Sequence, residues 1–288
     1  MSTSELRPRF RSQLQYFTGF FVARPLSVAG LVIVVFYMLL MFIGPALAPY
    51  DPITPTSDHL TPPSAQHWLG TDRAGLDVFS RLISAPKIDL TIGLIASVLG
   101  ALIGTPFGVM SGYLRSSMGA LVARVFDVVQ CMPPFIVAMS LVSFSGPSIQ
   151  NVIIVLALLQ TPIYVRLVRT KVNSIKERKF VEAATCVGNS RWRIISHHLI
   201  PNSLEPILIM MPVNVGWSIL MAAGLSFVGA GIRPPAPEWG AMIAVGAPLL
   251  ITGQWWVALF PGLAIGTCVL GLALLANALE ILLDPTRA

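Results

Sequence analysis

The sequence predicts an all-α polytopic membrane protein with six transmembrane helices, and three observations lead there. Only 11% of the 288 residues are charged and 55% are hydrophobic, with a mean hydropathy of +0.75; a soluble domain carries about 25% charged residues. Five stretches hold no charge at all: Pro25–Tyr50, Leu90–Leu114, Val128–Val165, Pro206–Ile232 and Trp239–Leu279. Each accommodates the helix of about 20 residues that crosses a bilayer core. The basic residues lie between these stretches, as orientation sorting requires. A soluble domain is excluded, because so few charges cannot coat its surface.

Pro25–Tyr50 is the first span and Leu90–Leu114 the second. Val128–Val165 is too long for one ordinary span, and Ser145-Gly146-Pro147-Ser148 interrupts it with turn chemistry. It therefore splits into a third span near Val128–Phe144 and a fourth near Ile149–Val165. Pro206–Ile232 is the fifth. In the last run, Pro248, Gly253 and Gln254 precede the interfacial pair Trp255-Trp256. The sixth span is thus expected at Trp256–Leu275, with Gly240–Leu250 as a short apolar helix that enters the membrane without crossing. Pro106, Pro162, Pro212 and Pro261 fall inside spans, each removing a backbone hydrogen bond. Pro212 with Gly216 is a candidate bend in the fifth span.

Fifteen of the 19 Lys and Arg residues fall on the side of the N-terminal segment, the second–third and fourth–fifth connections and the C-terminus; four fall opposite. Both termini are therefore expected in the cytoplasm. The same scatter argues against a nucleic-acid-binding face, although the net charge is +6. Cys131, Cys186 and Cys268 are odd in number and widely spaced, so no disulfide framework is indicated. The basic N-terminal segment and the full-length apolar run behind it point to a retained anchor, not a cleaved signal peptide. Residues 1–89 form an N-terminal cytoplasmic segment, first helix and external loop; residues 90–288 form a five-helix core whose cytoplasmic loop occupies 166–201.

That loop holds eight of the basic residues. Glu182–Val187 favours helix, Gly188 suits the left-handed residue that ends one, and Ser190 is placed to cap a second helix over Arg191–Leu199. Trp192, Ile195 and Leu199 mark its apolar side, and Pro201 is expected to stop it. Ser203 would cap the fifth span, with Pro206 in its first turn. Ala183 and Ala184 form a small-residue surface that permits close approach, suggesting a docking knob.

Glu182-Ala183-Ala184-x3-Gly188-x9-His198-Leu199-Ile200-Pro201 resembles the EAA loop of ABC importer permeases. His67-Trp-Leu-Gly70-Thr-Asp72-x-x-Gly75-x-Asp77-x-x-Ser80-Arg81 is similar to an external motif of the dipeptide/oligopeptide/nickel branch, C-subunit type. Ser226-Phe-Val-Gly229, Pro234-Pro-x-Pro237-Glu238-Trp239-Gly240, Pro261-Gly262 and Leu283-Asp284-Pro285 also fit that branch. The resemblance implies a type I ABC importer permease fold in a bacterial inner membrane. It further implies a second homologous permease, two ABC ATPase subunits that hold ATP and Mg, and an external substrate-binding protein. Glu182, Ala183, Ala184, Gly188 and Pro201 would then belong to the ATPase-coupling loop. Arg166, Arg169, Lys171 and Arg178 are candidates to hold the ATPase surface. The chain departs from the branch at Leu76, where Arg is usual, and at Asn277, Glu280 and Ile281, where Asp, Arg and Asp are usual.

The function classes narrow accordingly. No span centre carries an ionisable side chain, whereas ion-coupled transporters accept such charges because the charges do their work. An ion-coupled secondary transporter is the competing reading. No HExxH, G-x-S-x-G or Walker-type phosphate loop occurs, so neither catalysis nor a cofactor is expected in this chain. His197-His198 do not share a helix face, which argues against a metal site. Met210, Met211 and Asn214 on the fifth span are candidates to line a pathway, although an asparagine there ordinarily bonds a neighbouring helix. The transported solute is not legible: peptides lead, with nickel chelates, glutathione, opines and oligosaccharides also carried by the branch.

Overall fold

A computed structural model describes residues 24–114 and 117–283; Arg7, Arg9, Arg11, Arg115, Asp284, Pro285 and Arg287 lie outside the described residues. Helices α1 (Pro25–Leu47), α3 (Pro86–Tyr113), α6 (Ile149–Ile175), α9 (Leu204–Phe227) and α11 (Trp256–Leu283) are each long and apolar enough to cross a membrane. A bent pair, α4 (Ser117–Cys131) and α5 (Pro134–Ser145), whose axes meet at 89°, makes a sixth candidate crossing when the two are taken as one span. The expected third span, Val128–Phe144, is thus broken in its first turn. Pro133 supplies no N–H, and the residue before a proline is pushed out of the helical region. The shorter helices are α2 (Val78–Ser84), α7 (Lys179–Cys186), α8 (Arg191–Ile194) and α10 (Trp239–Gly246).

Local chemistry sets most boundaries. Gly146 at φ +93° ends α5, and the Ser148 hydroxyl accepts from the Asn151 amide to start α6. The expected short apolar helix forms as α10, followed by a tight turn over Ala247–Leu250. Helix α9 runs through Pro212 without a break.

The most extensive packing joins α3 to α6, which run parallel. Gly100, Gly104, Gly108 and Gly112, one every fourth residue, line α3 where α6 crosses it. A Cβ at Gly104 would lie 2.7 Å from Tyr164 Cβ, and one at Gly108 2.6 Å from Val168 Cβ. Without a solvent-driven hydrophobic force between helices in lipid, such backbone approach is what makes packing attractive. Helix α11 packs antiparallel on α1: Gly30 meets Leu274, while Gly271 meets Ile33. Tyr37 donates to the Ala264 carbonyl at 3.1 Å between them. Pro25 and Leu283 therefore lie at one end of the bundle. The start of α9 joins them there, since Leu208 shares a groove with Leu279 and Leu283. This is the end that carries the basic loop.

Three buried polar helix-to-helix contacts tie α3, α6 and α9 together. Ser97 donates to Gln160 Oε1 at 3.0 Å, and Gln160 Nε2 donates to the Ser218 hydroxyl and to the Asn214 carbonyl. Gln160 has no exposed surface, so its amide is committed to this junction.

Candidate functional site

The external end is closed by the motif His67–Arg81. Asp77 caps α2 by accepting from the Ser80 amide at 2.7 Å, and its other oxygen meets the His67 ring at 2.8 Å. Asp72 accepts from the Ala74 and Leu76 amides, while Gly70 and Gly75 take φ of +77° and +80°. At Gly70 a Cβ would lie 2.6 Å from the Thr61 carbonyl, so both the turn and the close approach require glycine. Arg81, 2% exposed, donates to the carbonyls of Pro52, Pro235 and Ala236 at 3.0, 3.0 and 3.3 Å. It thereby pins the first external loop to the loop after α9. Trp256 donates its indole N–H to Thr71, and Trp239 donates to Leu82. Leu76, at the position where the branch has Arg, is buried in this layer.

Glu238 caps α10, accepting from the Gly240 and Ala241 amides at 3.0 and 2.6 Å. Burial pushes its carboxyl above the usual carboxylate range, against those two amides and a hydrogen bond with Asp89, which hold it down. The motif residues are thus the ties of an outer cap, and Trp68, Asp77 and Phe79 also line a cavity of about 440 Å³ with Tyr50 and Gln66.

The opposite end carries the basic loop that resembles the EAA loop. Helix α6 continues ten residues beyond Val165, so Arg166, Arg169 and Lys171 are helical, with the turn beginning at Lys176. Lys171 forms an ion pair with Glu205 at 2.7 Å, and Lys176 donates to the Gly112 carbonyl at 2.8 Å. Both cations hold this chain together, whereas Arg166, Arg178, Lys179, Arg191 and Arg193 are exposed. Val181 and Ala184 point inward from α7, joining Ile194, Leu199, Val172, Ile175 and Ile207 in one apolar cluster. Glu182, Ala183 and Gly188 are exposed.

The expected two-alanine knob is therefore divided, because neighbours on a helix face different ways. Ala183 looks out; Ala184, 8% exposed, is a packing residue. Gly188 at φ +86° ends α7 as expected, with the Gly188 and Asn189 amides bonding back to Thr185 and Ala184. Ser190 accepts from the Arg193 amide, as a cap should.

The second helix departs from its expected face. Trp192 is 74% exposed, whereas Ile194 and Leu199 are buried. Ile195–Leu199 is a π-helical turn in which the Ile200 amide reaches the Ile195 carbonyl. That i to i+5 register puts Ile194 and Leu199 on one side. Pro201 does not stop the path: a turn over Ile200–Asn202 leads into α9. Ser203 does not cap α9 either, since its hydroxyl donates back to the Leu199 carbonyl at 2.7 Å.

Of the pathway candidates, Met210 and Met211 are partly exposed. Asn214, 3% exposed, lies inside the α3–α6–α9 junction. The glycine repeat of α3, readable as G-x-x-x spacing, and the outward Val187 carry no expectation from the sequence, and Trp192 is expected on the inward side. An apolar residue in a basic loop signals a surface only once its neighbours are known to turn inward. Asn277 is exposed near the same end, with Glu280 and Ile281 half-buried.

A bundle of membrane-crossing helices, capped outside and bearing a helical loop inside, defines a polytopic permease. Residues 104–288 match the family described as binding-protein-dependent transport system inner membrane component. Residues 12–63 match the N-terminal transmembrane domain of oligopeptide transport permease C. A dipeptide transport system permease protein of Alkalihalophilus pseudofirmus is 40% identical over 90% of this chain and 86% of its own length. A probable D,D-dipeptide transport system permease protein of Escherichia coli (strain K12) is 37% identical over 91% and 88%. A glutathione transport system permease protein of Pectobacterium atrosepticum is 34% identical over 92% and 88%. The inward-facing MetNI methionine ABC transporter shares the fold, with a TM-score of 0.54 at 16% identity, covering 72% of this chain and 94% of that one.

The chain belongs to the binding-protein-dependent transport system inner membrane components, within the dipeptide/oligopeptide/nickel branch of ABC importer permeases. It is a multi-pass inner-membrane permease subunit with the type I importer fold, not a catalytic subunit and not an ion-coupled transporter.

Proposed function

We propose that this chain forms one half of a peptide pathway driven by ATP hydrolysis in separate subunits. The assembly comprises a second related permease, two ABC ATPases that hold ATP and Mg, and an external binding protein that delivers substrate. Short peptides are the substrate class, supported by the dipeptide, D,D-dipeptide and glutathione permeases among the relatives.

One observation carries the mechanism: α7 is fastened inward by Val181 and Ala184 while its other side is free. Glu182, Ala183, Val187 and Trp192 form the surface that meets the ATPase, with Arg178 beside it. Gly188 and Pro201 shape the path of the loop. When ATP closes the ATPase pair, α7 moves with it. The apolar contacts at Ala184, Ile194 and Leu199 pass that motion to the ends of α3, α6 and α9, alternating access to a cavity between the permeases. Met210 and Met211 keep surface free to face that cavity or lipid, and Asn214 serves the junction beside Gln160.

Cysteine cross-linking in the assembled complex tests this reading. Ala183→Cys should couple to an ATPase cysteine across the interface, and Ala184→Cys should not. Equal cross-linking from both positions, or ATP-independent uptake of dialanine in proteoliposomes, would refute it.

A further inference from the structure

The break between α4 and α5 opens a cavity of about 520 Å³ that no element of the coupling loop or outer cap explains. That volume falls within the about 300–1,000 Å³ of small-molecule sites. Three helices supply its wall. Asp127, Gln130 and Cys131 stand at i, i+3 and i+4 on α4, one face of a helix. Leu159, Ile163 and Arg166 stand at i, i+4 and i+7 on α6, and Trp217 comes from α9. The side of α6 carrying Gln160, Tyr164 and Val168 is buried against α3, so Arg166 is on the face that packing leaves free.

The charges are the informative part. Asp127 and Arg166 are exposed to the cavity, opposite in sign, and paired with nothing among the described residues. Three other cations of this chain are committed: Arg81 to three carbonyls, Lys171 to Glu205, Lys176 to Gly112. Asp127 and Arg166 flank the charge-free stretch Val128–Val165, one residue beyond each end, and the cavity brings them onto one wall.

We propose that this cavity is a transit site for a zwitterionic short peptide, resting on the peptide-import reading above. Asp127 takes the α-ammonium and Arg166 the α-carboxylate, for which the guanidinium fork is the matched partner. Trp217 offers a ring face to the ammonium or a side chain, and Gln130 a hydrogen bond to the peptide amide. Recognition of both peptide ends and of no particular side chain would let one wall pass many sequences.

Cys131 reports on the site directly. It is exposed in the cavity, Cys186 is exposed on α7, and Cys268 is buried, so Cys186→Ser leaves one accessible thiol among the described cysteines. The test uses the full complex with its binding protein in proteoliposomes, with dialanine as probe, following uptake and maleimide labelling of Cys131 together. Dialanine should slow labelling at least threefold, and N-acetyl-dialanine amide should not. Protection should vanish in Asp127→Asn and Arg166→Gln while the melting temperature of the solubilised complex stays as in the wild type; protection retained in both variants would overturn the site. Uptake without protection would overturn the site yet leave peptide import standing; absent uptake would overturn peptide import itself. Labelling that follows lipid composition and ignores dialanine would assign the cavity to a lipid headgroup and overturn the proposal.

Discussion

The two ends of the bundle are held by different forces. At the outer end, Arg81, Trp239 and Trp256 tie loops distant in sequence and Asp72, Asp77 and His67 fold the motif on itself, all through directional hydrogen bonds that are buried or part-buried. At the inner end, the coupling loop rests on Val181, Ala184, Ile194 and Leu199, with one ion pair and one lysine–carbonyl bond at its margin. Directional bonds resist sliding, because a displaced buried donor loses its partner and cannot find water. Apolar contacts tolerate small shifts as long as volume is conserved. A lever that must move against the bundle therefore belongs on the second kind of surface, and a cap that must hold its shape on the first.

Substitutions can break that contrast. Arg81→Met should do most damage, since it removes three hydrogen bonds made by one buried charged side chain, each worth about 1.5–3 kcal/mol at most. A marked fall in melting temperature of the detergent-solubilised complex is expected. An unchanged melt would remove the outer lock from the account.

Ala184→Trp comes next. Overpacking its 8%-exposed site costs about 1–3 kcal/mol, lifting the loop and uncoupling ATP hydrolysis from uptake while membrane insertion survives. Its partner Ala183→Trp should leave thermal stability as it is and weaken ATPase co-purification. If the two variants behave alike, α7 has no inner and outer face.

Glu238→Gln sharpens the comparison through pH. Burial raises the Glu238 carboxyl above its unfolded value, so its share of stability is full below the unfolded pKa and is lost as pH rises through the folded one. The wild-type complex should lose stability over that rise and Glu238→Gln should lose less; parallel melting curves across pH would contradict the assignment. Smallest of all is Lys171→Met. Its pair with Glu205 is about one-third exposed, and such pairs contribute about 0–1 kcal/mol. A shift beyond that range would show the inner end to be electrostatically held after all.

Much of this was legible from residue order. Charge-free runs gave the long helices, the turn at Ser145–Ser148 separated α5 from α6, Gly188 ended α7, Ser190 capped, and the helix expected at Gly240–Leu250 formed at Trp239–Gly246. The misses share a cause. The third span broke because Pro133 acts locally while an average of hydropathy does not register it. Trp192 faced outward because a π turn changes the repeat, which a 3.6-residue period cannot anticipate. Arg166 was grouped with the loop because charge was taken to end a helix, yet α6 carries it onward.

By itself, the sequence determined the membrane class, the sidedness, the number of crossings and the family. These follow from composition and short-range spacing, since bilayer thickness and local capping act on consecutive residues. Only the tertiary structure decided that Ala184 packs while Ala183 is exposed, that Asn214 lies in a helix junction, and that Asp127 and Arg166 share one cavity. Each depends on which face of a helix its neighbours cover, and those neighbours lie far away in the chain.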